Sequence, residues 1–237
     1  MTQLTGRELT VDQIVDRMRE IGRGLGDSDG VGVFNRMYLT VTELVRDRLA
    51  GAYFDDPGTV AELDALFAGR YLTAVDAAAG GRRPPACWRP LFELRAHPGI
   101  HPLQFALSGM NAHIEHDLPF AVVDTCRLLD REPHDLAADY RRINELLAQV
   151  EGEVRESLLP GPDALDLAGP LAHVLGVWSI DRAREAAWAS VLALWELRRV
   201  PLAYGALGVA LDGSVGMVGR ALLTPLDGHA EAGPAAY

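Results

Sequence analysis

The sequence predicts an all-α protein, a single-domain helical bundle of about eight to ten helices. Apolar residues recur at intervals of three and four over most of the 237 residues, which is typical of helices with one buried face. Capping residues and prolines precede several of these segments, and no long alternating run indicates a strand. No long polar linker divides the chain, so residues 1–224 are predicted to form one helical domain and residues 225–237 a flexible C-terminal tail.

The first three helices are predicted from their caps and apolar spacing. Thr10 and Gln13 fit a capping box in front of a helix over residues 11–21, which glycines end. A loop rich in glycine and aspartate separates it from a second helix over about 33–50. An aspartate followed by proline then begins a third helix over 57–79.

Proline- and glycine-containing breaks separate the helices that follow. They are predicted over residues 89–97, 102–130, 135–158 and 165–177, and over 180–199 behind the cap residue Ser179. Pro119 stands inside the 102–130 segment, where its ring and its missing N–H are expected to kink the helix.

The segment over residues 200–223 is the most apolar part of the chain and is rich in glycine and alanine. An Asp-Gly pair at 212–213 would allow a hairpin, but the glycine spacing favours a helix packed closely against others. Because it contains Asp212 and Arg220, we expect a packed interior element rather than a membrane span. This segment is also a possible homodimer contact.

Charge and cysteine content exclude several classes of function. No lysine is present, which excludes Schiff-base chemistry and a phosphate-loop lysine. The net charge of −11 and the absence of a basic stripe argue against a nucleic-acid partner. Cys87 and Cys126 form no CxxC pattern and are expected to be reduced, buried thiols. The N-terminus has no apolar segment, so we expect no signal peptide and a cytoplasmic, membrane-free location.

Ionisable residues enter the apolar face of the predicted 102–130 helix. At 100° per residue from Met110, His113 and Asp117 lie within about 60° of the inward direction. Asp124 has the same phase if Pro119 does not disturb it, whereas Glu115 and His116 point elsewhere. His113 and Asp117 stand at i and i+4, where their side chains can meet.

A buried His–Asp pair has three interpretations. Burial of a carboxylate is costly unless it is hydrogen-bonded or paired, so the pair could simply join helices. The same contact orients an imidazole and raises its basicity, which favours acid–base catalysis. The third interpretation is a metal site in which His113 and Asp117 act with Asp124 or Asp139, although the zinc-protease pattern HExxH is absent.

Polar residues intrude on the apolar faces of other predicted helices as well. A single polar residue on an apolar face usually has a structural role, but several together indicate a polar pocket inside the bundle. Asp139 and the core-facing Arg184 are predicted to act with His113 and Asp117. The predicted substrate-binding residues are Asn35, Tyr38, Thr42, Asn111, Asn144 and Trp188.

Four short patches together resemble an uncharacterised, mostly actinobacterial, all-helical family of unknown function. They are Phe34-Asn35 with Tyr38 and Thr42, Asn111 to Ile114 with Asp117-Leu118, Asp139-Tyr140 with Asn144, and Ala183-Arg184 with Ala187-Trp188. The resemblance covers roughly residues 10–200 and implies a helical, soluble bacterial protein. It implies no activity and no role for any residue.

These observations predict an intracellular enzyme that acts on a small, largely apolar molecule without an organic cofactor. The chemistry would be proton transfer, as in cyclisation, isomerisation, elimination or hydrolysis, with His113 as acid or base and Asp117 orienting it. Two alternatives stay open: a metal-dependent hydrolase or oxygenase, and a binding or scaffold protein whose buried polar groups only set helix register.

Overall fold

The structure is a computed structural model that describes residues 9–158 and 179–225, and in this part of the chain it contains helices and no strands. The α-helices are α1 (Val11–Arg23), α2 (Gly30–Leu49), α3 (Pro57–Ala79), α4 (Arg89–Leu94), α5 (Pro102–Asn111), α6 (Leu118–Leu128), α7 (Pro133–Leu158), α8 (Ile180–Leu197) and α9 (Pro201–Leu222). A π-helical segment, Ala112–Asp117, joins α5 to α6. The all-α bundle is therefore confirmed. The predicted 165–177 helix and the tail beyond residue 225 lie outside the described residues.

The helix starts follow the capping chemistry. Thr10 and Gln13 form the predicted capping box of α1, and Ser179 accepts from the Arg182 N–H at the start of α8. The second helix begins at Gly30, three residues earlier than predicted. The reason is Asp29, whose side chain accepts from the N–H groups of Val31 and Gly32 and so caps the first turn of the helix.

The continuous helix formed by α5, the π-helical segment and α6 is the centre of the bundle. It packs against α2, α3, α8 and α9, so its side chains meet most of the fold. Pro119 lies at the start of α6 and cannot donate to the carbonyl of residue 115. The predicted distortion is present, but it extends back over the preceding turn, where the N–H of Leu118 bonds to the His113 carbonyl in the wider π geometry.

Two large apolar clusters meet at this central helix. One contains residues of α1 to α5, with Trp88, Tyr71 and Phe34 fully buried. The other is built mainly from α6, α8 and the ends of α5, α7 and α9. Gly109 brings α5 close to α2, because a Cβ there would lie 2.2 Å from the Phe34 ring.

The prediction of a packed interior element for the glycine- and alanine-rich segment is wrong. Helix α9 buries a narrow face that includes Val215 and Gly219, whereas Leu202 is 90% exposed and Val209 75% exposed. Its composition does not reveal which face packs, because glycines and aliphatic residues occur on both faces: Val215 and Gly219 are buried, whereas Gly205 and Val209 are exposed. Among the described residues it is the one helix that is long and apolar enough to cross a membrane.

Candidate functional site

An apolar cavity of about 100 Å³ lies between α2, α3, the central helix, α7 and α8. Its walls are mostly aliphatic and aromatic side chains, among them Phe34, Val41, Leu63, Phe67, Leu107, Ile114, Ile143 and Ile180. A dry cavity somewhat larger than this holds benzene in another protein, so the space is suited to a small apolar molecule. Cavities of this kind between helices are common binding sites in helical proteins.

Four buried polar side chains line this apolar cavity with an atom that has no hydrogen-bond partner among the described residues. These atoms are Tyr38 Oη, Asp64 Oδ2, His113 Nε2 and Arg184 Nε. A buried polar atom without a partner is rare in folded proteins because it loses its bonds to water without replacement. Four such residues around one cavity form a set of donors and acceptors that a bound molecule can satisfy.

His113 is fixed against the cavity wall by stacking and by a carboxylate. Its ring lies parallel to Phe67, with 3.6 Å between the centroids, and its Nδ1 lies 3.2 Å from Asp117 Oδ2. The predicted i, i+4 contact of this pair is therefore present. Burial lowers the pKa of His113 despite the opposing effect of Asp117, so the ring is neutral near pH 7.

Asp117 lies at the centre of a fully paired polar cluster. It accepts from Trp88 Nε1 at 3.0 Å and faces the Nδ1 atoms of both His113 and His116. Burial alone would raise the pKa of this carboxyl, but the hydrogen bonds from the two imidazoles outweigh burial and lower it. Ionised Asp117 can only accept, so His113 carries its proton on Nδ1 and its Nε2 is left with a free lone pair.

The helical projection predicted that His116 points away from the core, and this prediction is wrong. Its ring is buried, and its Nδ1 lies 2.9 Å from Asp117 Oδ1. The projection assumed that only one face of the helix is buried, but α3, α8 and α9 all pack against the π-helical segment. His116 is therefore buried on the side that faces α9, where its Nε2 lies 3.9 Å from Asp212 Oδ1.

Asp64 is a site residue that the sequence analysis missed. It lies on α3, fully enclosed by the cavity walls, and burial raises its pKa to about 7. Asp64 stands four residues after Val60 and three before Phe67, both of which also line the cavity. This spacing on an apolar face was the signal that could have found it.

Arg184 supplies the cationic side of the cavity. It is 2% exposed, and its guanidinium lies 4.2 Å from the Tyr140 ring centroid and donates to the Tyr140 carbonyl. Among the described residues no carboxylate pairs with it, and burial lowers its pKa. Arginine nevertheless stays protonated in proteins, so the cavity contains a positive charge that no carboxylate of the described residues pairs with.

Three of the predicted substrate-binding residues are hydrogen-bonded within the structure and do not line the cavity, although Asn111 Oδ1 has no partner among the described residues. Asn35 donates to the Met18 carbonyl and accepts from the Tyr71 hydroxyl, and Thr42 donates to the carbonyl of residue 38. Asn111 donates to the Val215 carbonyl and so joins the central helix to α9. Of the three predicted substrate-binding residues on α2, only Tyr38 lines the cavity.

The remaining predicted residues also lie apart from His113. Asp139 accepts from the backbone N–H groups of residues 55 and 56 and pairs with Arg142, so it holds the start of α3. Asp124 pairs with Arg70. Neither carboxylate joins His113 and Asp117 as the metal hypothesis required. Trp188 packs against Tyr140 outside the cavity wall, and the Asn144 side chain is outside the described residues.

Comparison with known families gives one match. A family model described as a family of unknown function, DUF5995, matches residues 11–225. No curated protein and no solved structure matches the chain. The match agrees with the resemblance to an uncharacterised family that the four sequence patches indicated.

Proposed function

The chain belongs to DUF5995, a family of unknown function, and we propose that its cavity binds a small, largely apolar molecule and transforms it by proton transfer. The observation that carries this proposal is the set of four unpartnered polar atoms, on Tyr38, Asp64, His113 and Arg184, around a single apolar cavity. Leaving these atoms unpaired destabilises the free protein, and a ligand that pairs with them recovers that free energy on binding.

His113 is the proposed general base. The Nδ1–H bond to Asp117 fixes the tautomer, and the stacking on Phe67 fixes the ring plane, so the Nε2 lone pair is available to a bound C–H or O–H. Asp117 then stabilises the imidazolium that forms when His113 takes the proton. A neutral resting imidazole is required for this role, and the lowered pKa of His113 provides it.

Asp64 is the proposed acid. A carboxyl with a pKa of about 7 is protonated in about half of the molecules near neutral pH, so it can donate to a developing oxyanion or return a proton to carbon. Burial raises the pKa of the Asp64 carboxyl to about 7, so that it can hold a proton near neutral pH, and lowers the pKa of His113, which keeps the imidazole base neutral.

Arg184 and Tyr38 define the polar end of the ligand. The Arg184 guanidinium, whose Nε has no partner among the described residues, favours a carboxylate or another anionic oxygen, and the Tyr38 hydroxyl can donate to a carbonyl. Burial raises the pKa of Tyr38 well above its usual value, so this hydroxyl keeps its proton. The substrate class is therefore a compact aliphatic or aromatic molecule with one oxygen-bearing group.

The cellular setting is part of the same proposal. A cytoplasmic protein without nucleic-acid or membrane partners fits the net charge of −11 and the two free cysteines, both of which are buried. Function without an organic cofactor and a homodimer through α9 are further predictions from the sequence. Light scattering and fractionation of expressing cells test them.

Binding is tested with two matched pairs of probes, isovalerate with isoamyl alcohol and benzoate with benzyl alcohol. We expect the acids to bind the full chain more tightly than the alcohols, measured by calorimetry. Arg184→Leu should remove this preference, whereas Arg182→Gln, an exposed arginine on the same helix, should retain it. Equal affinities of wild type and Arg184→Leu for the acids would contradict the proposed anchor.

Catalysis is tested with small carbonyl probes that fit the cavity. We expect the protein to exchange the hydrogens next to the carbonyl of isovaleraldehyde in heavy water, or to hydrolyse a compact ester such as methyl isobutyrate. His113→Ala should slow the reaction by about 100-fold or more, since positioned acid–base groups contribute factors of this size. Its thermal melt should stay cooperative. Tight binding of the acids with neither reaction would favour the binding-protein alternative instead.

A further inference from the structure

A second cluster of reactive side chains lies on the far side of Asp117 from His113. Cys87 precedes α4, His116 belongs to the π-helical segment, and Asp212 belongs to α9. One ligand atom of each lies within 4.8 Å of the other two, and His116 Nε2 is 3.9 Å from Asp212 Oδ1. A thiol, an imidazole and a carboxylate are the three side chains that zinc binds most often.

His116 is oriented as a metal-binding histidine is. Its Nδ1 bonds to Asp117 Oδ1 at 2.9 Å, which leaves the Nε2 lone pair directed to the side of Cys87 and Asp212. Histidines that bind metals nearly always donate their other ring N–H to a carboxylate or a carbonyl, because this fixes the ring and makes the ligand nitrogen more basic. Asp117 is that carboxylate here.

Asp212 is held in place by the backbone that carries the thiol. Its two oxygens accept from the N–H groups of Ala86 and Cys87 at 3.0 and 2.9 Å, and each oxygen keeps a lone pair for a further bond. Gly216, one turn later on α9, permits this approach, since a Cβ there would lie 2.5 Å from the Ala86 carbonyl oxygen. The Asp212 side chain is 29% exposed, so solvent reaches the cluster.

We propose that Cys87, His116 and Asp212 bind one divalent transition-metal ion of the zinc class, with a fourth position open to water. Ligand atoms around tetrahedral zinc are about 3.3–3.8 Å apart for bonds of about 2.0–2.3 Å. The distances between the ligand atoms, now up to 4.8 Å, therefore need to shorten by about 1.5 Å at most. On binding, the Cys87 thiol loses its proton to solvent and its sulfur forms the metal bond. The site does not depend on the function proposed for the cavity.

The test is titration of the metal-free full chain with Co²⁺, and then with Zn²⁺ in competition. We expect one Co²⁺ per chain, a thiolate-to-cobalt charge-transfer band in the near ultraviolet, and displacement of Co²⁺ by Zn²⁺. Cys87→Ser should abolish the band and weaken Co²⁺ binding by at least about 100-fold. Cys126→Ser is the matched control, because it removes the other buried cysteine and should leave the titration unchanged.

Asp212→Asn is the second variant, chosen in case Cys87→Ser disturbs folding. It keeps the shape of the side chain but loses one of the two backbone hydrogen bonds, so the metal-free melting temperature should fall by a few degrees while the melt stays cooperative. Co²⁺ binding should weaken by about 10-fold or more. The proposal is overturned if wild type shows no stoichiometric Co²⁺ band, or if both variants, folded by their melts, bind Co²⁺ as wild type does. These readouts use the metal alone, so they are independent of the cavity probes.

Discussion

Asp117 and Asp64 are both buried aspartates beside the same apolar interior, yet they have opposite surroundings. Asp117 is contacted by three nitrogen donors, from Trp88, His113 and His116, and its pKa is lowered. Asp64 Oδ2 has no partner among the described residues, and burial raises its pKa to about 7. The structure thus stabilises the charge of one carboxylate and leaves the other without compensation.

The difference separates polar groups that hold the fold from those available to a ligand. Asn35, Thr42 and Gln104 resemble Asp117, because their side chains are hydrogen-bonded within the structure. Asn35 and Gln104 donate to carbonyls of other helices, and Thr42 donates to a carbonyl one turn earlier in its own helix. Tyr38 and Arg184 resemble Asp64, because each lines the cavity and has a buried polar atom without a partner among the described residues. Polar residues on an apolar face therefore fall into two groups, which substitution can distinguish.

The largest expected effect is that of Asp117→Leu. The change leaves three buried donors without an acceptor, so we expect the free energy of unfolding to fall by about 3–5 kcal/mol. Urea denaturation in the presence of EDTA measures this loss without a contribution from bound metal. A loss below about 1 kcal/mol would mean that the paired cluster does not support the fold.

Asp64→Leu should have the opposite sign. Replacing an uncompensated carboxylate in an apolar wall with leucine is expected to raise the free energy of unfolding by about 1–3 kcal/mol at about pH 8. Binding of isovalerate should change at the same time, because the cavity loses its acidic group. A destabilised Asp64→Leu protein would indicate that Asp64 has a structural role.

The pH dependence of stability sharpens the same comparison. The pKa of Asp64 is raised from 3.8 to about 7 on folding, so the folded protein binds this proton more tightly than the unfolded chain does. Protonation of Asp64 therefore favours folding. The free-energy cost of burying its ionised carboxylate is complete above about pH 7 and decreases as the pH falls towards 3.8. When the pH is lowered from about 8 to about 5, we expect the free energy of unfolding of wild type to rise by about 2 kcal/mol relative to that of Asp64→Leu. The midpoints of urea denaturation measure this change.

A pair of tyrosines provides the smallest test. The Tyr71 hydroxyl donates to Asn35 Oδ1 at 3.1 Å, whereas the Tyr38 hydroxyl is buried without a partner. Tyr71→Phe should lower the free energy of unfolding by about 1 kcal/mol, and Tyr38→Phe should leave it within about 0.5 kcal/mol of wild type. Calorimetric melts of the two variants compare them directly, and equal losses would contradict the distinction.

Local sequence signals predicted most of the helical framework. The caps at Thr10 and Ser179 and the proline that begins α3 are confirmed, because capping depends on residues within one turn of the helix start. The contact between His113 and Asp117 was also predictable, since four residues along a helix bring two side chains together. The early start of α2 was missed because the segment rich in glycine and aspartate before it was assigned wholly to a loop, although its Asp29 caps the helix.

Errors arose where an outcome depends on contacts between distant segments. Asn35 and Asn111 share inward phases with Tyr38 and His113, but only the neighbouring helices decide which of these finds a partner. The burial of His116 depends on α9, which packs against a side of the central helix that the helical projection had placed away from the core. The exposure of one apolar face of α9 depends on which of its faces packs against the bundle, and its sequence does not reveal this.

By itself, the sequence determined that the protein is a helical bundle, where most helices begin, and that a His–Asp pair lies inside it. Only the tertiary structure decided that Asp64, His113 and Arg184 share one cavity and that His116 meets Cys87 and Asp212 instead. The physical reason is range. Helix periodicity and capping are settled within a few residues, whereas hydrogen-bond satisfaction depends on atoms supplied by segments far apart in the chain.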